Sequence, residues 1–477
     1  MATTRIWIFL LAVSMCNLCV TNANTSGARI TLTSKALNYV SGLVVPLLEK
    51  ELSELNIADI SDKAKVKVIG KIEYSVKNIR ITAFSIKSLT VSSSTAGITL
   101  ELSDILLETK CDWKYKKWGV SDHGRAEIDI KHAAIKLTVL ISKSSDGHPV
   151  LKVTKCEPNI PSLSVDLHGG ASWFYKLFHN KMEDSLKKRL VSLLCDKAHV
   201  VDSKWNAKIS SYPLRKEINQ FTVTYGLLRD PEFTSTHIHF DLEGGVFPSV
   251  NDDVSTPPVQ LPDVSSTDKM IYLLLTPKLF GSAITAAIQS GVLHHRVTPD
   301  MLPKDSMLKL NTLFFKSTVP MLFKSFPNMG VVLDVTINRH DEIFIDPAGI
   351  HVTLLGDILF QVIQSDDTTV DAFSIKMTVQ STLQVDVVHT ADVPTVVLET
   401  ENLKIQFGGL SSSIGDFDTA PLEHALNGMS QFLLVPIINE YGRKGYAIPN
   451  VDNVKFVDPS VTVLQNCAQI GMDIVYS

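Results

Sequence analysis

Lysines and aromatic rings alternate through Lys110–Trp118 (KCDWKYKKW), the segment of this chain with the clearest chemical character. Lys110, Lys114, Lys116 and Lys117 are interleaved with Trp113, Tyr115 and Trp118. On an extended strand, side chains alternate between faces, so Trp113 and Tyr115 project to one side and Lys114 and Lys116 to the other. Ammonium groups pair with phosphates as point charges, and indole and phenol rings favour the boundary between apolar and wet regions. The combination suits the headgroup zone of a lipid surface. Single-stranded nucleic acid is bound by similar residues, but a secretory leader argues against that partner. The same pattern also fits an edge strand whose lysines face water and whose aromatics pack inward.

Other reactive groups are scattered. His237 and His239 lie two apart on an expected strand and face the same way, which reads as a pair on a sheet surface rather than a metal chelate. His294-His295 point apart in most conformations and make a weaker pair still, and Asp252-Asp253 and Asp366-Asp367 read as solvated turns in loops. The chain has no G-x-S-x-G elbow, no H-E-x-x-H and no glycine-rich phosphate loop. No catalytic residue, metal or cofactor is therefore assigned, and an enzyme is not expected.

The elements that must position these residues follow from periodicity. Apolar residues at three- and four-residue steps predict helices over Thr33–Leu55, Ser172–Leu194, Pro277–Val292 and Leu422–Tyr441. Pro46 and Pro436 should kink the first and last. Strict alternation predicts strands over Lys71–Lys77, Ile98–Leu102, Ile128–Ile130 and Ile135–Val139, with a turn at Ser144–Gly147. Further strands are expected at Val332–Ile337, Ile343–Ile345 and Phe373–Val379. Helix, long strands, helix: this order occurs twice. Between the two copies lies Val246–Thr267, rich in proline and small polar residues, which reads as a linker.

The chain has 477 residues, 45% of them hydrophobic, and a net charge of −5. Residues 24–245 carry 31 Lys/Arg against 25 Asp/Glu, a balance of +6, and residues 246–477 carry 13 against 25, a balance of −12. The asymmetry points to an anionic partner for the first half. Residues 1–23, with Arg5 followed by the apolar Ile6–Val13 and small residues around Ala23, have the layout of a secretory signal peptide. No later run is long enough to span a membrane, so a secreted, extracellular product is expected. Cys111, Cys156, Cys195 and Cys467 follow the leader, and four cysteines allow three complete pairings. The sequon at Asn24 lies beside the expected cleavage point.

Several ordered blocks resemble the family of bactericidal/permeability-increasing protein and lipopolysaccharide-binding protein, which also includes plasma phospholipid and cholesteryl ester transfer proteins. They are Gly169–Phe178 (GGASWFYKLF), Asp268–Leu273, Asp300–Lys304, Lys324–Met329 and Met472–Tyr476. The resemblance covers the whole mature chain. It implies an α+β fold: an elongated boomerang of two pseudo-symmetric barrels, each a twisted antiparallel sheet with two long helices, joined by a central sheet. It implies an N-terminal lipid-binding barrel at 24–245, a proline-rich linker at 246–267 and a C-terminal lipid-binding barrel at 268–477. It also implies a disulfide between Cys156 and Cys195, leaving Cys111 and Cys467 unpaired.

In that family phospholipid chains occupy an apolar pocket in each barrel. The matching lining here is Val44, Leu47, Leu48, Phe174, Leu177, Phe178 and Met182 in the first half, and Phe280, Ile284, Phe432 and Leu433 in the second. The family's basic tip for lipid A phosphates maps onto Lys110, Trp113, Lys114, Lys116 and Lys117. Lys50–Leu55 (KELSEL) departs from the strongly cationic pattern of the most bactericidal members. The expected function is recognition of lipopolysaccharide and of the bacterial outer-membrane surface in innate immunity, with phospholipid as bound ligand and activity against Gram-negative bacteria. The alternative is transfer of phospholipid or sterol ester.

Overall fold

A computed structural model describes residues 26–53, 57–66, 70–117, 119–169, 179–218, 220–248, 260–302, 309–341, 343–390, 393–448 and 454–476. The expected signal peptide, residues 1–23, lies outside them.

The first half begins with β1 (Ala28–Thr33), which runs directly into helix α1 (Ser34–Ser53). An antiparallel sheet follows, built from β2 (Ile60–Val66), β3 (Gly70–Ser94), β4 (Gly97–Lys117), β5 (Val120–Lys143), β6 (Pro149–Asn159) and β7 (Ser162–His168). Its order is β2-β3-β4-β5-β6, with β7 paired to β5. β3 has 25 residues, so at ~3.3 Å per residue the sheet is roughly 80 Å long. Helix α2 (His179–Ser210) lies against β6, β7 and β2. The sequence-expected helix ended at Leu194. It continues to Ser210 because Asn206 fastens its last turns to β6. Residues 170–178, where that helix was expected to begin, lie outside the described residues.

Short strands β8 (Arg215–Ile218), β9 (Phe221–Thr224), β10 (Glu232–Phe233), β11 (His237–Leu242) and β12 (Gly245–Pro248) complete this half. Val246, Phe247 and Pro248, placed by sequence in the linker, therefore form a strand, paired with Phe221–Val223.

The second half repeats the plan. β13 (Ile271–Leu275) leads into α3 (Pro277–Gln289). β14 (His294–Val297) and the short α4 (Pro320–Ser325) precede β15 (Gly330–His340), β16 (Phe344–Asp346), β17 (Gly349–Ile363), β18 (Thr369–Thr390) and β19 (Val393–Ser412). Helix α5 (Ala420–Lys444) packs on β19 and is followed by β20 (Tyr446–Ala447), β21 (Val454–Leu464) and β22 (Cys467–Tyr476). The second long sheet has the order β14-β15-β17-β18-β19-β20.

The two halves share one six-stranded sheet, ordered β10-β11-β1-β13-β22-β21. β1 is its hinge, with Ala28 opposite Leu242 on one side and Leu275 on the other. Arg29 and Asp241 pair across it at 2.7 Å, and the Thr276 hydroxyl donates to Ser26 O at 2.8 Å. The fold is thus α+β: two curled antiparallel sheets, each carrying two principal helices, either side of a common central sheet.

Helix-borne asparagines close the outer strands of both long sheets. Asn206 holds the Leu151 backbone on β6 by two hydrogen bonds of 2.8 and 2.7 Å. Asn427 does the same to Ile405 (2.8 and 2.6 Å) and Asn439 to Thr400 (2.8 and 2.9 Å), both on β19. A side-chain amide offers a donor and an acceptor, as a neighbouring strand would, and so satisfies backbone groups that an open edge would leave bare. No described helix is long and apolar enough to cross a membrane.

Candidate functional site

The lysine-rich segment forms the far end of β4. Along the first sheet the core falls into three clusters. The cluster around Val91 and Ile141 packs against Ile238 of the central sheet, the one around Ile86 and Ile130 follows, and the one around Ile72 and Trp113 comes last. Lys110–Lys117 therefore lies at the end remote from the central sheet.

The alternation expected from sequence is present, and it sends the rings inward. Trp113 and Tyr115 are each 7% exposed and stack with centroids 5.7 Å apart. They pack with Ile60, Ile72, Tyr74, Val76 and Leu186. The Trp113 Nε1–H donates to Arg125 O at 3.0 Å. Trp113 is thus a core residue and not part of a lipid-facing tip. The strand is also not an edge, since β3 and β5 flank it. A buried β4 must spend its apolar side chains on the core, which leaves Lys110, Asp112, Lys114 and Lys116 for the outer face.

Lys114 and Lys116 are exposed on that face. Lys114 stands between Ser75 and His123, neither of them an acid. Lys116 stands between Glu73 and Ser121, and Glu73 is already paired with Lys63 at 2.7 Å. That hydrogen bond and charge hold the Glu73 carboxyl below the usual carboxylate range. Lys110 is paired with Glu127 at 3.4 Å. The side chain of Lys117, and Trp118 as a whole, lie outside the described residues.

On the inner face of these strands is an apolar pocket lined by Ile57, Ile60, Ile79, Leu107, Thr109, Ile128, Ile130, Leu186 and Leu190. Its cavity volume is about 20 Å³. The Thr109 hydroxyl is turned away to Ile128 O at 3.2 Å, so the lining offers a ligand little but hydrocarbon. The cavity has room for about one water, so an acyl chain enters this space only if the lining side chains move apart.

None of the sequence-selected lining residues is among these nine. Val44, Leu47, Leu48 and Met182 lie on α1 and α2 as expected, but their side chains are outside the described set, as are those of Phe432 and Leu433 on α5. Phe174, Leu177 and Phe178 fall in the undescribed 170–178. Phe280 and Ile284 sit half-buried on α3 against a cluster that includes Leu275, Ala468 and Ile470. They are therefore beside the central sheet, at the inner end of the second half. Alternation in β4 and β5 was the sequence signal for Leu107, Ile128 and Ile130, and the stripe of α2 was the signal for Leu186 and Leu190.

The outer part of the second half is filled by its own side chains. Phe314, Phe315, Phe360, Phe373 and Phe417 form a chain of ring contacts with centroids 4.2–5.7 Å apart.

Cys156 and Cys195 form a disulfide with Cα atoms 5.8 Å apart, tying β6 to α2. Cys111 and Cys467 are buried free thiols. Burial pushes each up to about 11, with Asp112 adding to the effect at Cys111. Such thiols are poor nucleophiles at neutral pH. His237 and His239 prove to be buried rather than on a sheet surface. Their rings stack 5.9 Å apart, and they bond to Ser266 O and Thr31 Oγ1, respectively.

Comparison with known proteins agrees with this architecture. The N-terminal domain of the LBP / BPI / CETP family matches residues 36–212, and its C-terminal domain matches residues 216–476. The chain is 24% identical to a bactericidal permeability-increasing protein of Sebastes schlegelii, over 99% of both chains. It is 23% identical to a lipopolysaccharide-binding protein of Rattus norvegicus, over 94% of this chain and 93% of that one. It is 22% identical to a phospholipid transfer protein of Mus musculus, over 98% and 94%. The crystal structure of a lipopolysaccharide-binding protein superimposes with a TM-score of 0.58 at 22% identity, covering 95% of this chain and 99% of that one. With both domains matched in order around a shared central sheet, the chain belongs to the LBP / BPI / CETP family, whose members bind or transfer lipid and are not enzymes.

Proposed function

We propose that this is a secreted innate-immune protein that recognises bacterial lipopolysaccharide through the outer face of the first sheet's remote end. Lys114 and Lys116 are its principal phosphate contacts, and Lys110 and Lys117 flank them. Phospholipid chains occupy the apolar space beneath α2, and contact with the outer-membrane surface underlies activity against Gram-negative bacteria. The signal peptide spans residues 1–23. Residues 24–245 and 268–477 are the two lipid-binding lobes, joined through 246–267.

One observation carries this reading. The same strands bear lysines outside and an apolar pocket inside. Thr109 of the pocket and Lys114 are five residues apart on β4, or roughly 17 Å along the strand. A lipid with an anionic head and hydrocarbon tails has the same two-part chemistry. Burying a methylene is worth ~0.8 kcal/mol, so tails favour the pocket and phosphates favour the lysines.

The second reading is a carrier of phospholipid or sterol ester. The relative named phospholipid transfer protein and the overall excess of acid over base support it. Two measurements on the purified full chain separate the readings. Mass spectrometry identifies extracted lipid, and labelled lipopolysaccharide is titrated against the protein. Retained phospholipid together with saturable, salt-sensitive lipopolysaccharide binding is the expected result. Vesicle-to-vesicle transfer of labelled phospholipid without lipopolysaccharide binding would replace the first reading by the second.

A further inference from the structure

A second surface combines unpaired cations with exposed rings, and it lies far from the β4 lysines. Residues 204–218 (KWNAKISSYPLRKEI) finish α2 and lead into β8. Asn206 faces β6, where it holds the Leu151 backbone. At about 100° per residue, that anchoring turns Lys204, Trp205 and Lys208 away from the sheet. The turn that follows is fixed as well. A ring nitrogen of His148, Nε2, bonds to Tyr212 O at 2.9 Å, and the Tyr225 N–H donates to Leu214 O at 3.0 Å.

Trp205, Tyr212 and Ile218 are consequently 53%, 48% and 39% exposed. Lys204, Lys208, Arg215 and Lys216 are all exposed around them. None of the four has an ion-pair partner among the described residues, and Glu217 is the only acid in the stretch. All four residues of β8 are exposed, and β8 ends its sheet. The opposite edge strand of that sheet, β12, reaches α3, where the Val246 N–H donates to the Ser282 hydroxyl oxygen at 3.0 Å. This surface therefore sits near the junction of the halves, at the other end of the first lobe from Lys114.

We propose that this face is a docking surface for an anionic phospholipid bilayer, independent of lipopolysaccharide recognition at β4. Tryptophan and tyrosine favour the headgroup boundary. Unpaired lysines and arginines beside them are drawn to lipid phosphates. The hydrogen-bonded turn presents them already ordered, which lowers the entropy cost of docking.

The test sediments the full chain with phosphatidylcholine vesicles, with or without phosphatidylglycerol. The parent should partition onto the anionic vesicles, with Trp205 quenched by brominated acyl chains and Trp205→Phe abolishing that quenching. Lys204→Ala, Lys208→Ala, Arg215→Ala and Lys216→Ala together should weaken partitioning by several hundredfold, since each basic group near such a surface contributes about fivefold. These side chains are exposed, so thermal unfolding should not move. The loss should persist in a Lys114→Ala/Lys116→Ala background, which separates this surface from the β4 lysines. Unchanged partitioning of the fourfold variant, no partitioning by the parent, or capture of an acidic protein in place of vesicles would each overturn the proposal.

Discussion

Replacing Lys114 and Lys116 together by alanine tests the proposed phosphate contacts directly. Both side chains are exposed on a strand held by β3 and β5, and neither takes part in an ion pair among the described residues. Their removal should leave stability within about 0.5 kcal/mol. A cation near an anionic lipid surface is worth about 1 kcal/mol, so the pair should cost about 2 kcal/mol, or roughly 30-fold in affinity for lipopolysaccharide. Lys114 should account for the larger part, because no acid stands opposite it on either neighbouring strand. Lys116 shares Glu73 with Lys63, and Lys110 must leave Glu127 before it can meet a phosphate. Titration of labelled lipopolysaccharide at low, physiological and high salt reads the effect. Screening shortens from about 8 Å at 0.15 M to about 3 Å at 1 M, so the parent should lose affinity with salt and the variant should lose less. Lys376→Ala with Lys404→Ala, exposed lysines on β18 and β19, makes the same change in net charge in the other half. If the two double variants bind alike, or if the β4 variant binds as the parent does, the reasoning is wrong.

Other outcomes follow from the packing. Trp113→Ala should lose about 3–5 kcal/mol in denaturant unfolding, as a buried aromatic does; a surface contact would lose far less. Cys156→Ser with Cys195→Ser opens a link spanning 39 residues and should cost about 4 kcal/mol on the chain-entropy account, measured by urea unfolding under non-reducing conditions. Burial, aided by Arg29, holds His239 below the usual histidine range. The unfolded chain therefore binds that proton more readily. Stability should be full above about pH 7.5 and fall as the pH drops through about 6.5, and His239→Asn should flatten this part of the profile in thermal melts. Leu190→Trp should fill the pocket beneath α2 and lower the lipid recovered by extraction, with circular dichroism unchanged; undiminished lipid would place the ligand elsewhere.

Local structure was largely legible in the sequence, and long-range structure was not. Alternation at Lys71–Lys77 and Ile128–Ile130 marked strands because one face of each is buried. The apolar stripe of α2 was visible as far as Leu194. Beyond it the helix is polar, and its continuation depends on Asn206 gripping a strand some 55 residues earlier. The central sheet was hidden for the same reason, since Ala28 lies opposite Leu242 and Leu275. At β4 the sequence offered two readings of one pattern. Trp113 and Tyr115 went inward because β4 lies between two neighbours, a fact about the sheet that no window of β4 contains. The pocket lining comes from four strands and a helix, so no single stretch could announce it.

The sharing of β1 between the two lobes makes the covalent connection between them partly redundant. Its backbone bonds to β13, with the Thr33 hydroxyl reaching Lys269 O at 2.7 Å and Thr276 reaching Ser26, are contacts that a severed tether would leave intact. A protease that nicks residues 249–259 should yield fragments that co-migrate on gel filtration and separate only in denaturant. Two separately expressed pieces divided there could reassemble into a working whole, which makes the molecule a natural candidate for a split reporter.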